Sequence, residues 1–312
     1  MIEVHDITSR TDWEQWRKQS VGASEIACVL GVSPFATPFQ LWCRKRGHVG
    51  PMADNAMLRR GRLMEPSMVA WLAQEHEMNV CNPRKWYLDT DERISATPDA
   101  FYWAKSGAPI GNGLVEFKVV AEPEFRKHWI DEAGDVVAPI HYRLQALAGA
   151  KLTGAVEAKI GVWVVSSYGL ETHLIDVELH DAAWQKCKSA VAAWWERADN
   201  GLAPEPDYRL DGDAIKAMYR NGNGAVIDLT GNNRVPALLD ELQGVEALIK
   251  SYNADSKLTV ERAEAIKAEL KMILGDAECG TLPGACIAWK TISKKAIPAS
   301  TYRKFSWKRR GE

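Results

Sequence analysis

The sequence predicts an α/β protein, with one central mixed β-sheet flanked by helices, then a C-terminal helical pair and a basic tail. Three observations predict it. Up to about residue 76, apolar residues recur at helical spacing. From 85 to 178 the period shortens into five strand-like runs. A helical stretch at 139–153 separates the third run from the fourth. Helix, three-strand meander, helix, two strands and a closing helix pack as layers around a single sheet.

In chain order, 11–30, "TDWEQWRKQSVGASEIACVL", reads as a helix interrupted at Val21 and Gly22. Thr11 or Asp12 can cap its start and Ser24 its second half. After the turn "GVSPFATPF" a helix runs from about Phe39 to Arg46. A third covers "DNAMLRRGRLMEPSMVAWLAQEH", where Met64, Met68, Trp71 and Leu72 share a face and Pro66 begins or kinks the second part. The strand runs are "KWYLDT", "ISATPDAFYW", "LVEFKVV", "AKIGVWVV" and "LETHLIDVE", bounded by the turn signals "TDE", "GNG" and "SYG". The helix "DAAWQKCKSAVAAWWERA" ends before the Pro-rich "LAPEPDY". The core is therefore expected at 1–205, with a linker at 206–234 and a C-terminal region at 235–312. In that region 235–274 reads as two amphipathic helices, with Ser256 or Thr259 capping the second, and "CGTLPGACIAWKTI" as a short hairpin.

Composition narrows the function. A 312-residue chain with 46% hydrophobic and 26% charged residues is ordinary for a folded globular protein. No apolar run is long enough to cross a bilayer, so no membrane partner is expected. The N-terminus "MIEVHDITSRTDWEQW" carries acids and no apolar block, unlike a secretory signal. Six cysteines without a C-x-x-C pair point to reduced cytosolic thiols rather than disulfides or a zinc cluster. A net charge of −2 gives no general attraction to nucleic acid. Positive charge is gathered locally in 289–310, "WKTISKKAIPASTYRKFSWKRR", which has no acid and interleaves Tyr302, Phe305 and Trp307. Rings stack on bases and cations attract phosphates, which makes Lys294, Lys295, Arg303, Lys308 and Arg309 candidate DNA contacts. On composition alone a solubilising basic tail fits equally well.

The chemistry concentrates in the second and third runs. In "GNGLVEFKVV" strand alternation sends Leu114, Glu116 and Lys118 to one face and Val115, Phe117 and Val119 to the other. Upstream, Pro98 pushes its strand out of regular pairing and sets the angle of Asp99. Two carboxylates from adjacent strands can converge, and convergent carboxylates want a hard cation such as Mg²⁺ between them. A lysine on the same face can offset charge developing on a phosphorus. Glu65 shares a helical line with Val69 and Leu72, where a carboxylate is paired, protonated or near a metal. Gln145 sits among Ala146, Ala148, Gly149 and Ala150, small residues that let a helix press onto the sheet.

The order G-x-x-x-E-P, P-D, E-x-K and Y-x-x-Q follows the opening "VGASEIACVLGVSPFATPFQLWCRKRG". It resembles the lambda-exonuclease/YqaJ branch of the PD-(D/E)xK nucleases over about residues 11–205. The resemblance implies a restriction-endonuclease-like core and a Mg²⁺-dependent deoxyribonuclease, with Mn²⁺ substituting. Such an enzyme degrades linear double-stranded DNA from a 5′ end and leaves a 3′ single strand for phage-type recombination. Asp99, Glu116 and the carbonyl of Phe117 would be metal ligands, and Glu65 a helix-borne acid near the metal. Lys118 would be the catalytic lysine and Gln145 a polar active-site residue. Arg17, Ser24 and Thr97 match positions that hold a 5′-phosphate, a role suited to a bidentate guanidinium completed by hydroxyls. The resemblance further implies a homotrimeric ring on DNA ends, a single-strand annealing partner, and work in a bacterial cytoplasm as a phage or prophage product. Two departures stand out: P-D-A replaces the common P-D-G, and the residues after 206 have no counterpart in the short lambda-type members. Two other readings remain open, an endonuclease of the same fold and a non-catalytic DNA-binding or assembly module centred on 235–312.

Overall fold

The computed structural model describes residues 1–50, 55–105, 113–251, 257–294 and 300–309. The chain divides into two compact units, Met1–Leu41 with Pro51–Ala203, and Trp42–Gly50 with Pro204–Glu312.

The first unit starts with β1 (Ile2–Asp6), α1 (Arg10–Lys18), β2 (Val21–Gly22), a 3-10 turn at Ala23–Glu25, α2 (Ile26–Val29) and α3 (Pro38–Lys45), which runs past its boundary. Next come α4 (Ala56–Glu75), β3 (Met78–Cys81), β4 (Lys85–Asp89), β5 (Ile94–Ala96), β6 (Ala100–Ala104) and β7 (Gly113–Ala121). The unit finishes with α5 (Glu122–His128), α6 (Ile140–Thr153), β8 (Glu157–Val165), β9 (Leu170–Val177) and α7 (Asp181–Asp199). Its five-stranded sheet has the order β3-β6-β7-β8-β9, with β7 and β8 parallel and the other pairs antiparallel. A parallel pair needs a long crossover, and α5 and α6 supply it.

Both faces of this sheet are covered, as a buried parallel pair requires. On one face Leu114, Val120, Ile160, Val162 and Val164 pack with Ala146 and Ala150 of α6. On the other, Val115, Phe117 and Trp163 meet Met68, Trp71 and Leu72 of α4. The small residues of α6 allow a close approach: a Cβ at Gly149 would lie 3.0 Å from the Leu114 side chain. The helix stops at Gly154, whose φ of 73° is the left-handed conformation that terminates helices. This is the mixed sheet flanked by helices that the sequence predicts, and the two faces of β7 separate as strand alternation requires.

One expectation is corrected. The runs around "KWYLDT" and "ISATPDAFYW" do not form a meander within a single sheet. β4 and β5 belong to a second, four-stranded sheet of order β1-β4-β5-β2, whereas β6 enters the central one. Proline has no N–H to donate, and the break falls at Thr97-Pro98-Asp99 between β5 and β6. At the N-terminus the cap of α1 is Ser9, whose Oγ accepts the Asp12 N–H at 3.1 Å, rather than Thr11 or Asp12. Ser24 lies inside the 3-10 turn, where Glu25 instead accepts the Gly22 N–H at 2.8 Å.

In the second unit α8 (Gly212–Met218), β10 (Val226–Asp228), α9 (Arg234–Ser251), α10 (Lys257–Leu274), β11 (Cys279–Leu282), β12 (Ala285–Lys294) and β13 (Ser300–Arg309) follow in order. Residues 206–234, expected as a linker, thus contribute a helix and a strand that pairs in parallel with β11. The stretch expected as a basic tail is the end of β12 and β13, in a sheet of order β10-β11-β12-β13. Leu238, Leu242, Ile266 and Leu270 of the helical pair pack on Ile287 and Trp289 of that sheet. Among the described residues no helix is long and apolar enough to cross a membrane.

Candidate active site

The P-D and E-x-K motifs meet where β6 stops pairing with β7. Their ladder covers Ala100↔Val115, Phe101↔Leu114 and Tyr102↔Gly113, so β7 beyond Val115 has an open edge on that side. Asp99, just before β6, fills the edge: its Oδ2 accepts the Phe117 N–H at 2.8 Å. The N–H and C=O of one strand residue leave on the same side, so the Phe117 carbonyl also lies on that edge.

Glu116 and Lys118 stand on the face of β7 that meets α6. Glu116 is 2% exposed. The Lys118 ammonium is 3.3 Å from Glu116 Oε2 and 4.0 Å from Asp99 Oδ2. Gln145, projecting from α6, donates its amide to the same Glu116 oxygen. Burial, followed by the charge of Asp99, pushes the Glu116 carboxyl up to about 8. Burial also opposes the charge on Lys118, but Glu116 and Asp99 outweigh it and hold the ammonium above its ordinary value. The ammonium lies 5.3 Å from the centre of the Tyr142 ring, the tyrosine of Y-x-x-Q. One ammonium faces two carboxylates, so this cluster is short of positive charge.

A cleft of about 90 Å³ opens beside it, lined by Trp13, Arg17, Ser24, Thr97, Glu116 and Gln145 among others. Arg17 comes from the last turn of α1 and Ser24 from the 3-10 turn. Thr97 sits at the break between the two sheets, where its Oγ1 accepts the Trp13 indole N–H at 3.1 Å. Glu25 holds the guanidinium of Arg17 at 3.0 Å, and the same group lies 4.8 Å from the Trp13 ring centre. The sequence pattern did not single out Glu25 or Trp13. Glu25 directly follows Ser24 in the G-A-S turn, and that adjacency is the signal that could have found it.

The carboxylate and carbonyl donors suit a hard divalent cation. Asp99 and Glu116 both face the Lys118 ammonium, and the Phe117 carbonyl lies on the edge that Asp99 fills. Glu65 feels the charges of Asp99 and Lys118, and its Oε1 accepts from the Asn82 side chain at 2.7 Å. Burial, then the charge of Asp99, raises its carboxyl. Among the described residues no group of three or more His, Cys, Asp or Glu is arranged to hold a metal.

The candidate DNA contacts in the second unit fare differently. Arg303 is turned inward, with its guanidinium 3.5 Å from the Trp289 ring centre. It donates to the carbonyls of Trp289, Tyr219, Gly275 and Ala277 at 2.7–3.0 Å. Four of its five N–H groups are thus given to backbone carbonyls. Phe305 and Trp307 pack against the core of this unit, because alternation along β13 puts them on the inner face with Arg303. Lys294, Lys308 and Arg309 lie in strands but their side chains fall outside the described residues, as does Lys295 altogether.

The match to a known family falls on this same region. Residues 12–156 match the YqaJ-like viral recombinase domain, a span that includes every candidate residue from Arg17 to Gln145. The chain is 24% identical over 305 residues to the uncharacterized protein YqaJ of Bacillus subtilis (strain 168), covering 93% of this chain and 86% of that one. An alkaline exonuclease from Laribacter hongkongensis aligns in structure with a TM-score of 0.46 at 19% identity, over 61% of this chain and 93% of its own. A putative exonuclease from Eubacterium rectale aligns with a TM-score of 0.39 at 11% identity, over 63% and 88%.

Proposed function

Taking residues 12–156 as a YqaJ-like viral recombinase domain, we propose that this chain is a divalent-metal-dependent deoxyribonuclease acting on the ends of linear double-stranded DNA. The observation that carries the reading is the convergence of Asp99 and Glu116 on Lys118 beside a cleft that contains Arg17. Asp99, Glu116 and the Phe117 carbonyl would hold Mg²⁺, or Mn²⁺ in its place. Held there, such an ion would supply Lewis acidity toward a water and the phosphate. Lys118 places its ammonium next to those carboxylates, where it offsets negative charge growing on the scissile group. Gln145 fixes the Glu116 carboxylate from the α6 side. Arg17, with the hydroxyls of Ser24 and Thr97, would receive a 5′-phosphate, which sets a 5′-to-3′ direction and leaves a 3′ overhang. A phage or prophage origin, a bacterial cytoplasm, a ring-shaped homotrimer and a strand-annealing partner belong to the same proposal and rest on the family resemblance.

The direct test is digestion of end-labelled linear duplex with each divalent cation, beside a closed circular plasmid. Loss of the linear substrate with an intact circle is expected. Nicking of the circle would make the enzyme an endonuclease, and no digestion with any cation would overturn the nuclease reading.

Arg17 supplies a second expected result. Arg17→Ala should lower kcat/KM on 5′-phosphorylated ends by roughly ten- to a hundredfold, the range set by a lost charged hydrogen bond. Rates on 5′-hydroxyl ends should stay as in the wild type. Equal losses on both kinds of end would remove Arg17 from the phosphate pocket.

A further inference from the structure

The second unit contains a cleft of its own, of about 180 Å³, lined by Tyr208, Arg209, Asp213, Lys216, Glu264 and Lys271 among others. At roughly 30 Å³ per water it has room for several waters or for one larger polyatomic anion. Lys271, in the last turn of α10, is 6% exposed and lines this cleft. Its ammonium makes no hydrogen bond or ion pair with any described residue, and it lies 5.7 and 5.9 Å from the ring centres of Phe305 and Trp289.

The two acids of the lining have other cations. Asp213 pairs with Lys216 at 2.9 Å and Glu264 with Lys267 at 3.4 Å. Burial, then the charge of Lys216, lowers the Lys271 amine to about 8. Glu264 and Asp213 pull it the other way, and an anion entering the cleft would offset the cost of burial that remains. Three cationic side chains and a phenol offer more donors than one carboxylate can accept, which matches a group with several acceptor oxygens.

We propose that this cleft is a binding site for a phosphoryl group, with the Lys271 ammonium at its centre and Arg209, Lys216 and Tyr208 completing the donor set. The site does not depend on the nuclease reading. Its ligand chemistry is shared by free phosphate esters and by a nucleic-acid backbone.

The test is lysine acylation of the full chain at mildly alkaline pH without divalent metal, read residue by residue by peptide mass spectrometry. The arms are inorganic phosphate, a short duplex oligonucleotide, acetate, and potassium chloride at matched ionic strength. Lys271 labelling should fall about fivefold or more once a phosphoryl ligand exceeds its Kd severalfold. Labelling of exposed Lys186 should not change. Protection by phosphate alone identifies a free ester as the ligand, and protection by the oligonucleotide identifies the backbone; either supports the site. No protection, or equal protection by acetate or chloride, overturns it. Thermal shift decides if the amine is too enclosed to label. The rise in Tm on adding phosphate should shrink in Lys271→Met and persist in Lys271→Arg, and an unchanged rise in Lys271→Met would overturn the proposal.

Discussion

Replacing Lys118 by methionine is expected to reduce hydrolysis of linear duplex by about 10²–10³-fold, the loss typical of removing one preorganised group from a developing negative charge. Methionine keeps most of the buried stem, so far-UV circular dichroism and duplex binding should stay as in the wild type. The separation of binding from cutting is the diagnostic feature. A lysine that served only to neutralise Glu116 for stability would be dispensable for rate, since a protonated Glu116 packs equally well. A variant that cuts within about threefold of the wild type would therefore reduce Lys118 to a structural counter-ion and leave the site without its electrostatic group. Arginine should rescue poorly, because its broad planar fork does not replace a compact ammonium seated 3.3 Å from one carboxylate and 4.0 Å from another.

The parts of this site that depend on local geometry were legible in the sequence. Strand alternation alone put Glu116 and Lys118 on one face, and they stand together against α6. Pro98 marked where regular pairing would fail, and Asp99 occupies the edge that the failure opens. The same proline also divided a run read as one strand between two sheets, because periodicity records alternation and not the partner a strand chooses. Glu65 was legible as an acid on an apolar stripe, but its partner Asn82 is 17 residues away, a distance no helical pattern spans. Arg303 shows the limit most clearly. A run of cations without acids looks like a solvated strip until the chain pairs as β12 and β13, and only that register turns Arg303 inward over Trp289. Glu25 likewise acquires its role only when α1 brings Arg17 to it.

Glu116→Gln should abolish nuclease activity while making the metal-free protein more stable, and the gain should depend on pH. The Glu116 carboxyl is pushed from its ordinary 4.5 to about 8, first by burial and then by Asp99. A carboxyl whose folded pKa is raised holds its proton more tightly in the folded state than in the unfolded one. Its contribution to stability is therefore fully present below about 4.5 and is lost as pH rises through about 8. Glutamine has no proton to lose, so the variant's advantage should grow across that window and level off above it. Thermal unfolding should show a rise of about 2–4 °C for each kcal/mol recovered, with a total on the order of 1–3 kcal/mol. Gln145 and Lys118 still find a side-chain oxygen at the position, and Asp99 retains Lys118 at 4.0 Å. Mg²⁺ should invert the order: a ligand that binds only the folded state stabilises it by mass action, and the wild type has the fuller donor set. A variant no more stable than the wild type at mildly alkaline pH, or one that gains as much from Mg²⁺, would show that Glu116 is not a strained carboxylate awaiting a cation.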